Sequence, residues 1–239
     1  MQLWLCPLLA FLLGSIPFGL LIAKAKGINI REHGSGNIGA TNVLRVVGKK
    51  YGITCFLLDV FKGFIPVAIA VNLIQITGRP IQVPLGFPDA WALKLAAGDA
   101  LQAQIAHILT ALCAVLGHNY SPWVGFKGGK GIATSAGVLL ALMPFAILLL
   151  LLVWALLFFT TRYVSLASIG AAAMLPLLTL WGSWHHGRIQ DGTWNKPLFI
   201  FTVVIAVLAI WKHRTNIQRL REGTEHRFTR KPKTPAPQS

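Results

Sequence analysis

The chain has 239 residues, of which 54% are hydrophobic and only 12% are charged, and its mean hydropathy is +0.62. A water-soluble domain of this length needs more charge to cover its surface, so the composition excludes an ordinary soluble enzyme. The formal net charge is +15, but the basic residues lie between apolar runs rather than on one soluble face. We therefore expect no nucleic-acid partner. The excess Lys and Arg are expected to lie in loops on the inner side of the membrane, beside anionic lipid headgroups.

Seven apolar segments follow one another along the chain, at about residues 3–24, 53–76, 101–117, 132–147, 147–162, 165–182 and 197–212. Each approaches or passes the roughly 18 residues that cross a bilayer. The fourth and fifth adjoin near Pro144 and together exceed one crossing, which favours two spans. The predicted fold class is an all-α polytopic membrane protein with about seven transmembrane helices, in one domain over residues 1–226.

The cysteines and the N-terminal run argue against disulfides, a metal site and a cleaved signal peptide. Cys6, Cys55 and Cys113 lie in apolar runs without CxxC spacing, so neither a disulfide framework nor a metal site is predicted. The first apolar run lacks a basic flank and a small-residue cleavage site, which favours a retained helix over a cleaved signal peptide.

The loop charges predict the orientation. With the N-terminus outside and seven alternating spans, every Lys and Arg falls on the inner side except Arg79, Lys94, Arg188 and Lys196. This asymmetry places the C-terminus in the cytoplasm. Five spans would leave both ends on the same sides, so charge alone does not fix the count. Residues 227–239 are basic and Pro-rich, which predicts a disordered cytoplasmic tail.

The second inner loop reads FKGGKGIATSAG over residues 126–137 and opens onto a predicted helix. Its glycines Gly128, Gly129 and Gly131 predict an anion nest, in which successive backbone N–H groups point at a ligand. Lys127 and Lys130 add charge, and a helix N-terminus suits phosphate. The spacing is not that of a nucleotide-binding P-loop. The alternative is a flexible hairpin whose basic residues contact lipid headgroups.

The first inner loop reads GSGNIGATN over residues 34–42 and is followed by Arg45. Its GxGxxG spacing is no dinucleotide fingerprint, because a membrane helix precedes it rather than a strand. The polar side chains that we expect to bind substrate are Ser35, Asn37, Thr41 and Asn42, and Arg45 can hold a phosphate through two hydrogen bonds. The alternative is a polar turn between two helices.

The C-terminal stretch HRTNIQRLREGTE places His213, Asn216 and Arg219 on one helix face near the inner membrane surface. We expect His213 and Asn216 to belong to the site, and Glu225 to be structural by pairing with an inner Arg or Lys. Two other pairs are set aside: His186 with Asp191 lies in an outer loop, and Asp59 with Lys62 suits a structural ion pair.

These motifs resemble the bacterial acyl-phosphate-dependent glycerol-3-phosphate acyltransferases. GSGNIGATN with Arg45, the KGGKG loop, RYVSLAS and HxxNxxRLxxGTE occur here in the family's order and spacing, over about residues 8–228. The resemblance implies seven transmembrane helices around a site that opens to the cytoplasm of a bacterial inner membrane. It also implies transfer of a fatty acyl group from acyl phosphate to the 1-hydroxyl of glycerol 3-phosphate, giving lysophosphatidic acid and inorganic phosphate.

The resemblance also assigns roles. The main site residues that it carries over are Ser35, Arg45, Lys130, Ser168, His213 and Asn216. The same three glycines form the glycerol-phosphate loop, and Glu225 supports structural integrity. No cofactor or metal is expected, and neither is an obligate protein partner, so the expected state is a monomer that binds glycerol 3-phosphate, acyl phosphate and membrane lipids.

The proton acceptor and one other function stay open at this point. His213 has a suitable unperturbed pKa for a general base, but the phosphate of the acyl donor could also take the hydroxyl proton. The alternative function is a membrane transporter of phosphate esters or anions. The absence of internal repeats and the position of the polar motifs at the inner ends of the spans argue against it.

Overall fold

The computed structural model describes residues 2–228, without the side chain of Gln2, so the predicted tail lies outside the described residues from position 229 onward. The helices in this range are α1 (Gln2–Gly14), α2 (Phe18–Lys24), α3 (Ala40–Val46), α4 (Lys49–Leu73), α5 (Ala100–Asn119), α6 (Ile132–Leu142), α7 (Pro144–Thr161), α8 (Val164–His185), α9 (Lys196–Lys212) and α10 (Arg214–Arg221). Two strands, β1 (Ile74–Ile76) and β2 (Leu93–Leu95), lie between α4 and α5.

Five helical segments within residues 2–228 are long and apolar enough to cross a membrane, namely Leu3–Lys24, Lys49–Leu73, Ala97–Val124, Pro144–Thr161 and Val164–His185. A sixth results if α9 and α10, which meet at a bend of 53°, form one span. The predicted membrane character is confirmed. α6 has 11 residues, too few to cross a hydrocarbon core of about 30 Å alone, so seven spans remain a prediction.

The all-α prediction missed a short β-pair in the first outer loop. β1 and β2 pair in parallel, with Ile74 opposite Leu93 and Ile76 opposite Leu95. Apolar residues alternate with Gln75 and Lys94, which is the period of a strand with one face packed. The predicted second segment ran to residue 76, whereas α4 ends at Leu73, because hydropathy alone does not separate IQI from a helix.

Helix α4 is the centre of the bundle and packs against α1, α3, α5 and α6. Its contact with α6 is made backbone to backbone at two glycines. A Cβ on Gly63 would lie 2.2 Å from the Thr134 carbonyl oxygen, and one on Gly137 would lie 1.9 Å from that of Val60. Small residues at such crossings let membrane helices approach closely. The position of α6, and of the loop before it, is therefore fixed by α4.

The second half of the bundle is formed by α7, α8 and α9. Helix α7 packs on α8, α8 on α9, and α9 on α5. The shared apolar core includes Val115, Leu139, Leu150, Leu175 and Phe201. Most of the large apolar side chains of α7 are exposed, as expected for a helix that faces lipid.

Two groups of hydrogen bonds fix the loops at the two ends of the bundle. After α5, Ser121 Oγ donates to the Ser15 carbonyl oxygen at 2.6 Å, and Trp123 Nε1 donates to Ser15 Oγ at 2.7 Å. Near the end of α4, Asn72 Nδ2 donates to the Val83 carbonyl oxygen at 2.9 Å. These bonds hold the inner loop against the end of α1 and the outer loop against α4.

Candidate active site

The glycine-rich loop between α5 and α6 is packed against the end of α5. The Gly128 N–H donates to the Asn119 carbonyl oxygen at 3.2 Å, and the Gly129 N–H donates to that of His118 at 3.1 Å. The expected nest, in which both N–H groups face a ligand, is therefore wrong for these two positions. The glycines are needed for close packing instead: a Cβ on Gly128 would lie 2.0 Å from the His118 carbonyl oxygen.

The same loop ends at Gly131, whose φ of +80° lies in the left-handed region that favours glycine. Helix α6 begins at the next residue. The first N–H groups of a helix have no partner within it and carry a partial positive charge. The start of α6 therefore supplies the anion-attracting backbone that Gly128 and Gly129 do not.

Lys130 projects from this loop into a cluster of polar side chains. Its Nζ donates a hydrogen bond to Asn216 Oδ1 on α10. Burial is the main cause that lowers the pKa of Lys130 to about 8; Glu225 acts to raise it, and Arg219 and Arg45 act to lower it. The ammonium group is therefore positioned but not neutralised by a direct carboxylate contact.

Glu225 connects three parts of the chain. Its Oε1 accepts hydrogen bonds from Ser165 Oγ at 2.8 Å and Asn216 Nδ2 at 2.7 Å, and its Oε2 accepts one from Arg219 Nε at 2.8 Å. Burial acts to raise the pKa of Glu225, but these three donors outweigh it and hold the pKa below its usual value. The expected ion pair of Glu225 is thus found, with Arg219 as its partner.

His213 lies at the bend between α9 and α10, and its side chain is buried. Its Nδ1 is 2.8 Å from the Ala209 carbonyl oxygen, and since a carbonyl can only accept, Nδ1 donates. Nε2 of the neutral ring is then a hydrogen-bond acceptor. The neighbouring Lys212 donates from Nζ to the Asn119 carbonyl oxygen at 2.9 Å, which ties the bend to the end of α5.

The first inner loop takes its shape from Asn42. The buried amide of this residue donates to the carbonyl oxygens of Ile30, His33 and Asn37 at 3.3, 3.0 and 2.9 Å. Its Oδ1 accepts the N–H of Ser35 at 2.9 Å. These four bonds hold the turn that presents the Ser35 side chain, so the structure gives Asn42 a supporting position. Its amide would have to break them to bind substrate.

Two arginines connect the first loop and α3 to the rest of the site. Arg45 on α3 donates from Nη2 to the His226 carbonyl oxygen at 3.4 Å, and its guanidinium lies 5.1 Å from the centre of the Phe228 ring. Arg31 donates from Nη2 to the carbonyl oxygen of Lys127 at 2.7 Å. The two glycine-bearing loops and the segment after Glu225 are therefore in direct contact.

An apolar slot of about 90 Å³ lies between α6, α7, α8 and α9. Its lining includes Ser135, Leu139, Leu150, Trp154, Ser168 and Ala172. Ser168 is buried and accepts a hydrogen bond from Trp154 Nε1 at 3.2 Å. Since Ser168 lies about one helical turn from Ser165, the slot begins beside the polar cluster.

The predicted site residues fall into three groups. Asn216 contacts both Lys130 and Glu225, with Arg45 and His213 beside them. Ser35, Asn37, Thr41 and Asn42 form the adjacent first loop and the start of α3, where Asn37 Oδ1 accepts the Gly39 N–H at 2.8 Å. The Lys127 side chain is exposed at the rim.

The set-aside pairs also have clear positions. Asp59 and Lys62 form a buried ion pair of 2.7 Å, whereas His186 lines a cavity at the opposite end of the bundle. Sequence reasoning missed His118, Asn119 and Ser165. The sequence does contain a signal for His118 and Asn119. They form a polar pair at the end of an apolar run, before the glycine-rich loop.

Comparison with known proteins gives one consistent family. A family model described as glycerol-3-phosphate acyltransferase matches residues 4–223. The glycerol-3-phosphate acyltransferase of Geobacter sulfurreducens is 43% identical to this chain, over 92% of this chain and 94% of the relative. That of Aquifex aeolicus is 44% identical, over 92% of this chain and 95% of the relative. The crystal structure of the integral membrane glycerol 3-phosphate acyltransferase PlsY, in its glycerol 3-phosphate form, is 40% identical with a TM-score of 0.75 over 96% of both chains. Its lysophosphatidic acid form gives a TM-score of 0.73.

Proposed function

The chain belongs to the glycerol-3-phosphate acyltransferase family, and we propose that it transfers a fatty acyl group from acyl phosphate to the 1-hydroxyl of glycerol 3-phosphate. The products are 1-acylglycerol 3-phosphate and inorganic phosphate, which begins phospholipid synthesis. The observation that carries the proposal is the position of Lys130, Asn216 and Arg45 at one end of the bundle, beside an apolar slot. A polar substrate and a fatty acyl chain would meet there.

Acyl phosphate suits this cluster as the acyl donor. It is already a mixed anhydride, so the protein need only hold two phosphates of like charge together and stabilise the oxyanion that forms at the carbonyl carbon. Arg45, Lys130 and the start of α6 supply positive charge for both tasks. Lys127 at the rim adds to the field that attracts the anions.

The glycerol 3-phosphate would lie between the glycine-rich loop and α10. Lys130 and Arg45 bind its phosphate, while Asn216 holds Lys130 in place and Glu225 orients Asn216. Ser35 and Ser168 supply hydroxyl groups to the substrates at the first loop and at the slot. Asn37 and Asn42 hold the shape of the first loop around Ser35, and the Thr41 hydroxyl at the start of α3 remains a proposed substrate contact.

In the reaction, the 1-hydroxyl oxygen attacks the acyl carbonyl carbon, and the bond from that carbon to the phosphate oxygen breaks. His213 Nε2 accepts a hydrogen bond from the hydroxyl, since Nδ1 already donates to Ala209. The hydroxyl proton passes to His213 or directly to the departing phosphate. Direct transfer is favoured over an acyl-Ser35 intermediate, because within residues 2–228 the recorded polar contacts place no His–Asp pair beside Ser35 to activate it.

We further propose how the protein lies in the membrane. It crosses the bacterial inner membrane seven times as a monomer, with its N-terminus outside and its C-terminus and active site in the cytoplasm. The bias of Lys and Arg toward one set of loops supports this orientation. Both substrates would then reach the site from the cytoplasmic side and from the inner leaflet.

The test is phosphate release by purified protein in detergent, given acyl phosphate with and without glycerol 3-phosphate. Release that requires glycerol 3-phosphate, yields lysophosphatidic acid and is lost in Lys130→Ala supports the proposal. A folded wild-type protein that gives no product with acyl phosphate, but does so with acyl-CoA, would overturn the choice of donor. No product with either donor would contradict the acyltransferase function and favour the transport alternative.

A further inference from the structure

A buried group of three ionisable side chains lies directly behind the glycine-rich loop. Asp59 and Lys62 on α4 and His118 on α5 are only 2%, 6% and 6% exposed. Asp59 Oδ1 lies 2.7 Å from Lys62 Nζ and 3.7 Å from His118 Nδ1. Lys62 Nζ also donates to the Ile16 carbonyl oxygen at 2.7 Å. Charged groups are costly to bury in a membrane protein and usually serve a function there, and the reaction chemistry above uses none of these three.

His118 separates this buried group from the loop. One side of its ring faces Asp59 through Nδ1, whereas Nε2 is the atom nearest to Gly129. A Cβ on Gly129 would lie 2.1 Å from Nε2, and the next two nearest atoms, Cε1 and Cδ2, belong to the same ring. The His118 carbonyl oxygen accepts the Gly129 N–H at 3.1 Å. His118 therefore contacts Gly129 through both its ring and its backbone.

The residue after Gly129 is Lys130, whose Nζ reaches Asn216 across the site. The direction in which Lys130 leaves the loop depends on the backbone of Gly129, and that backbone rests on the imidazole of His118. We propose that His118, whose ring lies between Asp59 and the loop, is a positioning residue for the acyl transfer, which sets the Gly129 backbone so that the Lys130 ammonium meets the substrate phosphate. This inference rests on the proposed function.

Replacement of His118 can test its positioning role without breaking the buried ion pair behind it. If His118 is replaced, Asp59 keeps its 2.7 Å contact with Lys62, so no carboxylate is left buried without a cation. His107 lies on the same helix, at the opposite end of the bundle, and its Nε2 is 2.8 Å from the Ile74 carbonyl oxygen. It is a matched control, since its replacement perturbs a half-buried imidazole far from the loop.

The first experiment compares His118→Leu with His107→Leu in the phosphate-release assay, on detergent-purified protein. For His118→Leu we expect KM for glycerol 3-phosphate to rise about tenfold, with kcat changed less, because a misplaced ammonium weakens binding of the phosphate. His107→Leu should keep the wild-type KM. An unchanged KM in His118→Leu, or an equal rise in both variants, would overturn the inference, whereas an inactive wild type would overturn the proposed function instead.

The second experiment approaches the same contact from the loop. Gly129→Ala leaves α4 and α5 untouched but directs a methyl group at the His118 ring, so KM should rise here too. His118→Ala is measured alone and together with Gly129→Ala, and in this double variant the ring that the methyl group meets is absent. Its effect on KM should therefore be smaller than the product of the two single effects. Gly129→Ala with a normal KM, or strictly multiplicative effects, would show that the contact does not position the loop.

Discussion

Lys130 is the residue whose charge state should limit the reaction at high pH. Its pKa is lowered to about 8 by burial first, so in the free protein the ammonium loses its proton above that pH. The protonated form is the one that binds a phosphate dianion. We therefore expect kcat/KM for glycerol 3-phosphate to fall above about pH 8, whereas kcat, which reports the bound state, should fall only at higher pH.

Lys130→Arg tests whether deprotonation of Lys130 causes this fall in kcat/KM, because a guanidinium group keeps its charge over the whole accessible pH range. The variant loses some activity through altered geometry, but its kcat/KM should show no decline near pH 8. Lys127→Arg, at the exposed rim of the same loop, should keep the wild-type profile. A decline near pH 8 that persists in Lys130→Arg would assign the titration to another group.

Glu225 should make the stability of the fold depend on pH. Its pKa is below its usual value, since Asn216, Ser165 and Arg219 outweigh the opposing effect of burial. A carboxyl group with a lowered folded pKa stabilises the protein above its unfolded pKa and loses that contribution as the pH falls through the folded one. We expect the melting temperature in detergent to fall on acidification below about pH 4.5. Glu225→Gln should start lower at pH 7 and show a weaker decline.

Sequence reasoning identified the side chains of the site better than their contacts. Lys130 and Asn216 lie beside the ends of apolar runs, and Glu225 follows Asn216 in the same C-terminal motif. This pattern is visible without coordinates, and Asn216 does contact both of the others. The N–H directions of Gly128 and Gly129 were not predictable in this way. These directions depend on the positions of the carbonyl oxygens of His118 and Asn119 at the end of α5, which accept the two N–H groups. The packing of the helices sets those positions.

At the scale of elements, the slot between α6 and α9 should select the acyl chain. Ala172 lines the slot about one turn below Ser168, whereas the adjacent Ala173 is exposed. In Ala172→Leu the three added carbons take the space of about three methylenes, worth about 2.4 kcal/mol or roughly 60-fold in binding. We expect kcat/KM for a C16 acyl phosphate to fall by that order and for a C8 donor to fall less.

Ala173→Leu is the matched control for the slot, because it adds the same group on the exposed face of α8. It should leave both donors unaffected. Equal losses for C16 and C8 donors in Ala172→Leu would indicate a general distortion of α8 and would contradict the proposed course of the acyl chain.

The crossing of α4 and α6 makes a second prediction about elements. A Cβ on Gly137 would lie 1.9 Å from the Val60 carbonyl oxygen, while one on Gly182 in α8 would have no atom within 4 Å. Overpacking of this kind costs about 1–3 kcal/mol. Gly137→Ala should therefore lower the melting temperature in detergent by several degrees, and Gly182→Ala should not. Equal melting temperatures would show that α4 and α6 can separate at little cost.

At the scale of the whole molecule, the arrangement of α6 and α7 determines which end of the bundle holds the site. Helix α6 starts beside Lys130, and α7 ends three residues before α8, whose Ser165 bonds to the same cluster through Glu225. The two helices must therefore form a hairpin whose tip, at Met143, points away from the site. Since α6 extends only about 16 Å, this tip lies less than the thickness of a hydrocarbon core, about 30 Å, from the start of α6. A cavity of about 910 Å³ lies at the tip, lined by Met143, Gln75 and Arg188 among others.

This geometry explains which part of the fold was predictable. Hydropathy finds long apolar runs because each must match the bilayer. The segment Leu3–Lys24, which contains α1 and α2, follows that rule, and so do α4, α5, α7 and α8. The predicted fourth segment, 132–147, does contain α6 (Ile132–Leu142), but hydropathy overestimates its length, because the apolar residues continue across Met143 into α7. The β1–β2 pair was missed for a related reason, since three residues are too few for a period of two to be distinguished from a helix end.

The cavity makes the topology testable by labelling of single cysteines in cells. With Cys6, Cys55 and Cys113 replaced, Met143→Cys should react from outside with a small membrane-impermeant thiol reagent that enters the cavity, although Met143 adjoins two apolar helices. Gln218→Cys, exposed on α10, should react only after the membrane is permeabilised. Reaction of Gln218→Cys from outside would contradict the proposed orientation. Protection of Met143→Cys in intact and permeabilised cells alike would contradict an outer cavity above a short α6.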